Sequence, residues 1–202
     1  GLGDVYKRQV IDLPGCGFSD KSTIDYSIYM YALAVNDFVK NRILRHHDTA
    51  TGMHAAAIST SSAILICAAL TAPKLYSGLS FINPQAMETT YCNPSTKPVF
   101  AKCIRAVYNT PVIGSFMYNL KYNRAAIMDK LSKVSGLEVA QKNELADSMY
   151  EAAHTGGYYG RFLLASIHGN LLNSDIARML SKLSTPILIV TGSADRQAKK
   201  AL

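Results

Sequence analysis

The chain has 202 residues, of which 49% are hydrophobic and 17% charged. That balance supplies a core, excludes a disordered segment, and suits one domain of ordinary size. The formal charge is +7, but the lysines and arginines are scattered, with no basic block, zinc-finger spacing or RNA-binding aromatic signature. No nucleic-acid partner is expected, and the basic surface steers anions without selecting among them. The apolar run that begins at Ala63 is far shorter than the ~20 residues that span a bilayer, and no signal peptide is visible, so no membrane partner is expected either. Cys16, Cys67, Cys92 and Cys103 form no C-x-x-C pair and read as free thiols in a reducing, cytoplasmic compartment.

In chain order, residues 1–9 look foreign. The string GGG CTC GGA GAT GTG TAT AAG AGA CAG encodes them, and it resembles the end of a transposase-based sequencing adapter. They are set aside as a scar, and natural sequence is expected to begin at Val10, inside a strand. Val10-Ile11-Asp12-Leu13-Pro14-Gly15-Cys16-Gly17-Phe18-Ser19-Asp20 reads as a strand end running into a Gly/Pro turn. An amphipathic helix over 28–43 and a short strand over 53–58 follow. Ala57-Ile58-Ser59-Thr60-Ser61 then leads without a gap into an apolar helix that ends near Pro73. Strand, sharp turn carrying a serine, and buried helix are the layout of a nucleophile elbow, usually written G-x-S-x-G. Ala57 and Ser61 occupy the two small flanking positions, and neither is glycine. Helix length favours Ser59 as the nucleophile. Ser61 is the alternative, and a further one is that Ser59 to Ser62 merely cap a helix. Residues 78–84 read as the next strand.

Residues 85–183 read as helical, with amphipathic stretches at 100–108, 114–131, 143–153, 161–167 and 175–183. Residues 185–191 form a continuous apolar run after a proline, which suits a parallel strand buried on both faces. Gly192-Ser193-Ala194-Asp195 follows it, and a turn aspartate is the plain reading of Asp195.

The segment at 10–20, the elbow and their spacing resemble the α/β-hydrolase family, well over 10–84 and more loosely over 85–195. The resemblance implies an α/β fold with a mostly parallel sheet, helices on both faces and an inserted helical cap, here incomplete. It divides the chain into a hydrolase core at 10–84, a cap at 85–183 and a truncated return to the core at 184–202. It makes Ser59 the nucleophile, the Thr60 N–H an oxyanion donor and Asp195 the acid of a Ser-His-Asp triad. No histidine follows Asp195, so the base is expected beyond Leu202, in a longer protein of which this chain is an internal fragment. The second oxyanion donor is expected from a loop before Val10. His46, His47 and His54 lie before the elbow, and His154 and His168 in the cap. His154 either lines the pocket or packs and caps. The implied function is a bacterial serine hydrolase cleaving a small ester, thioester or amide, with no cofactor or metal. The non-glycine elbow supports another reading, a hydrolase-like module that binds a small molecule or a partner without turnover. The chain by itself is expected to lack esterase activity.

Overall fold

The computed structural model describes residues 9–45, 52–86, 97–134 and 136–192. Residues 1–8 of the nine-residue scar, His46, His47, Cys92 and Asp195 lie outside the described residues. The loop at 12–20 is tied to itself. Asp12 Oδ2 accepts from Phe18 N at 3.0 Å, Asp12 O accepts from Ser19 Oγ at 2.6 Å, and Gly15 N donates to Asp20 O at 2.8 Å. Gly17 has a φ of +51°, and a Cβ there would run into the Asp12 carboxylate. The expected strand end at 10–12 is not formed. These residues lie outside every strand ladder, and Val10 is 97% exposed, so the apolar run alone does not make a strand.

Helix α1 spans Ile28–Phe38, and Ser27 caps it by accepting from Met30 N at 3.2 Å. It continues as a π-helical segment, Val39–Leu44. Strand β1 is Met53–Ile58, helix α2 Ser61–Thr71, and strand β2 Tyr76–Ile82 after a short 3₁₀ turn, Pro73–Leu75. Parallel strands need a crossover, and α2 supplies the first one. Residues 62–69 of α2 are all buried, which is why this helix is apolar all round. Strand β3, Ile187–Val190, completes a three-stranded parallel sheet in the order β1-β2-β3.

Ala57, Leu79 and Phe81 face a core shared with α1 and α2, where Tyr26, Tyr31 and Ile66 are fully buried. Ile58, Ile82 and Leu188 point to the other face and are exposed. Helices therefore cover one face of the sheet among the described residues. Strand β3 does not have the burial on both faces expected of it. Among the described residues it pairs with β2 alone, and its four residues are largely exposed.

A polar hub crosses this core. Asn36 Nδ2 donates to Ala68 O at 3.0 Å and to Thr71 Oγ1 at 2.9 Å, and Asn36 Oδ1 accepts from Tyr76 Oη at 2.6 Å. Burial raises the Tyr76 hydroxyl to about 12, so it remains a donor. Asn36→Leu strands that buried hydroxyl and is expected to lower stability by about 2 kcal/mol in a denaturant melt. Adding Tyr76→Phe should recover part of the loss.

The stretch between β2 and β3 is helical. Its elements are α3 (Pro98–Asn109), α4 (Pro111–Tyr122), α5 (Arg124–Ser132), α6 (Val139–His154), α7 (Gly160–His168) and α8 (Ile176–Leu180). The single helix expected over 114–131 breaks at Asn123, whose backbone is extended and whose Oδ1 caps α5 by accepting from Ala126 N at 2.8 Å. Two small clusters lie outside the main core, one of Tyr108, Tyr118, Leu164 and Ala165, the other of Ile127, Leu131 and Ala146. Leu172 and Ile176 join the main core instead, and α8 packs on α2.

Candidate active site

The site is assembled where the parallel strands end. Strand β1 stops at Ile58, and Ser59 turns the chain with a φ of +56°. Thr60 is already helical, as N-cap of α2, and Ser61 is the first residue of that helix. Ser59 thus occupies the turn between strand and helix, whereas Ser61 sits exposed in the first helical turn. The strand ladder runs one residue further into the turn, because Ser59 N donates to Ile82 O at 2.9 Å. Ser59 O accepts from Ser62 N at 3.1 Å and from Gln85 N at 3.3 Å. A positive φ is costly for a residue with a Cβ, of order 1–3 kcal/mol, and persists only where the surroundings enforce it. Here both ends of the turn are pinned by backbone hydrogen bonds. Ala57 is 7% exposed and packs into the core, so its methyl is accommodated.

Among the described residues, the Ser59 hydroxyl donates to Gln85 Oε1 alone, at 3.4 Å. Sequence reasoning did not single out Gln85. Its place follows from strand register: Ile58 pairs with Ile82 in the parallel ladder, so the residues just past Ile82 lie beside those just past Ile58. Asn83, with a φ of +45°, begins that turn. Its N–H donates to Val190 O at 2.8 Å, and its Oδ1 accepts from Gly192 N at 2.8 Å. The tips of β1, β2 and β3 are therefore joined at the carboxyl end of the sheet, and Gly192 is the last residue described there.

The described histidines are engaged elsewhere. His54 is on the exposed sheet face, with Nε2 at 2.9 Å from Ser80 Oγ. His154 ties α6 to α4: its Nδ1 lies 2.8 Å from Tyr150 O and its Nε2 3.2 Å from Asn119 Oδ1. His168 is 6% exposed and stacks on Tyr108 with ring centroids 4.8 Å apart. Its Nε2 lies 3.1 Å from Lys121 Nζ, so the imidazole is the acceptor and must be neutral. Burial, reinforced by the Lys121 charge, pulls His168 down from 6.5 to about 4. Burial and the neighbouring Lys130 charge pull Lys121 down as well. The unfolded chain therefore binds more protons than the folded one between these two values. Stability from this site is complete above pH 6.5 and is lost as pH falls toward about 4. The expected loss is on the order of 2 kcal/mol, read from melts across that range. His168→Phe keeps the stacking and should flatten this dependence.

Among the described residues, no three His, Cys, Asp or Glu side chains gather where they could hold a metal ion. Cys16, Cys67 and Cys103 are free, and burial pushes the Cys16 thiol up, so it is not a thiolate nucleophile. No helix among the described residues is long and apolar enough to cross a membrane.

No protein-family model matches the chain, and no curated protein matches it. Solved structures do. A hydrolase from Oleispira antarctica superposes with a TM-score of 0.55 at 19% identity, covering 93% of this chain and 65% of that one. A hydrolase from Pseudomonas aeruginosa PA01 gives 0.56 at 15% identity, over 93% of this chain and 62% of that one. An N-formylmaleamic acid deformylase from Pseudomonas putida S16 gives 0.52 at 16% identity, over 92% and 63%. The chain has the α/β-hydrolase fold, with the parallel sheet and strand-turn-helix crossing that the sequence led us to expect. It spans somewhat under two thirds of the length of these solved chains.

Proposed function

We propose that this chain supplies the nucleophile of a serine hydrolase that cleaves a small ester, thioester or amide. Ser59 Oγ attacks the acyl carbon, the Thr60 N–H at the start of α2 stabilises the oxyanion, and Asp195 orients the histidine that takes the serine proton. The base is taken from outside His54, His154 and His168, which are committed to Ser80, to Tyr150 and Asn119, and to Lys121. The observation that carries the reading is the positive φ of Ser59 between a parallel strand and a buried helix. Strain of this kind is concentrated at functional sites. The helices at 98–168 are assigned as a cap over 85–183 that shapes the substrate pocket, with α8 as its anchor on α2. No cofactor takes part. The free thiols support a cytoplasmic location.

A second reading is favoured by one contact. The Ser59 hydroxyl meets a carboxamide, Gln85, at 3.4 Å. A carboxamide takes no proton at neutral pH, so this contact positions the serine without activating it. That geometry suits a hydrolase-fold module that binds small molecules without turnover. A fluorophosphonate probe followed by mass spectrometry separates the two readings. Labelling at Ser59, lost in Ser59→Ala, supports the hydrolase. Labelling at Ser61 moves the nucleophile by two residues. A folded protein that takes no label supports the binding module.

A further inference from the structure

We infer that the Gln85 side chain occupies the seat of the general base at Ser59, and that an activating imidazole has to displace it. The inference rests on the hydrolase reading above and adds to it where the base stands. A serine hydroxyl has one proton and directs it at one acceptor at a time. In this structure that acceptor is Gln85 Oε1, 3.4 Å from Ser59 Oγ. A base must come within about 2.6–3.2 Å of the same oxygen to take the same proton. The carboxamide and the base therefore compete for it.

The backbone fixes where Gln85 stands and leaves its side chain free. Ser59 N donates to Ile82 O at 2.9 Å, and Gln85 N donates to Ser59 O at 3.3 Å, so the two residues stay side by side. Between Ile82 and Gln85, Asn83 is tied to Val190 and Gly192, and Pro84 is fully buried. Gln85 itself is partly exposed, and among the described residues its carboxamide is hydrogen-bonded to Ser59 alone. That bond is long, so turning the side chain into water gives up little. Topology agrees with the assignment. In the order β1-β2-β3, Gln85 stands on the β2 side of Ser59, toward the strand whose sequence runs on to the proposed acid. An imidazole that links a serine to an acid stands between them.

The test is the rate at which a fluorophosphonate labels Ser59, located by mass spectrometry, in the chain and two variants. Gln85→His puts an imidazole at the seat itself. It should label at least about tenfold faster than the parent. The rate should rise as pH passes about 6.5 and the imidazole loses its proton, and adding Ser59→Ala should remove the label. Gln85→Ala opens the seat, so free imidazole in the buffer should speed its labelling and leave the parent's rate unchanged. This variant carries the test if Gln85→His fails to fold. The inference is overturned, with the hydrolase reading left standing, if the parent labels at Ser59 and neither variant exceeds it with or without imidazole. Folded proteins that all stay unlabelled, parent and both variants, overturn the hydrolase reading and the inference together.

Discussion

Ser59→Gly is expected to abolish fluorophosphonate labelling and, at the same time, to make the protein more stable by about 1 kcal/mol. Glycine adopts the φ of +56° without a Cβ penalty. Among the described residues, the substitution loses the long hydrogen bond to Gln85 alone, and Gln85 is partly accessible to water, which can replace it. Most substitutions of a well-packed residue destabilise. A gain in melting temperature together with total loss of labelling would identify the turn as strained for the sake of its side chain. Ser59→Val should show the opposite stability change, because a β-branched residue tolerates this region worst. If Ser59→Gly proves less stable than the parent, the serine is held there by its contacts and the strain argument fails.

The second large effect is expected at Gly114. A Cβ there would fall inside the contact distance of the Tyr108 carbonyl, with Arg161 Cδ 3.2 Å away. The obstacle is helix backbone, which cannot rotate aside as a side chain can. Gly114→Ala should therefore push α4 off α3 and cost about 3 kcal/mol or more. The loss should be concentrated in the cluster of Tyr108, Tyr118, Leu164 and Ala165. Hydrogen exchange would show it: amides of α3, α4 and α7 should lose protection while those of α2 and β2 keep theirs. Uniform loss across both regions would mean that the helical stretch and the sheet open as one unit.

The parts of this architecture fixed by local pattern were readable. Strand β1 lies where the sequence places it, and the buried helix from Ser61 to Thr71 ends just before Pro73, near the expected end. The turn between them follows from small residues and an abrupt change of period. Contacts that depend on register between distant segments were not readable. Gln85 reaches Ser59, and Asn83 reaches Gly192, only because three strands pair in parallel. Neither residue type announces that role. Two expectations failed because a local signal was read without its neighbours. Among the described residues, Val10 and Ile11 have no strand beside them, and the strand at 187–190 is largely exposed where burial on both faces was expected. Asn123 illustrates the reverse error: the amphipathic period continues across it, but its side chain serves the next helix better than the last. For His154 a capping or packing role was the favoured expectation over a pocket role, and its two hydrogen bonds place it between α4 and α6.

Strand β3 is short, paired on one side and mostly exposed, so it is the element of the sheet with least to lose by opening. The Asn83 side chain extends its hold past Val190 to Gly192, and the chain runs on from there to Asp195. The order of Gly192 is thus linked to the strand with least to lose by opening. A ligand seated at the turn of Ser59 and Gln85 that favoured the closed strand would slow proton exchange at the Gly192 amide. Occupancy of the site and order in this strand would then be two readings of one equilibrium.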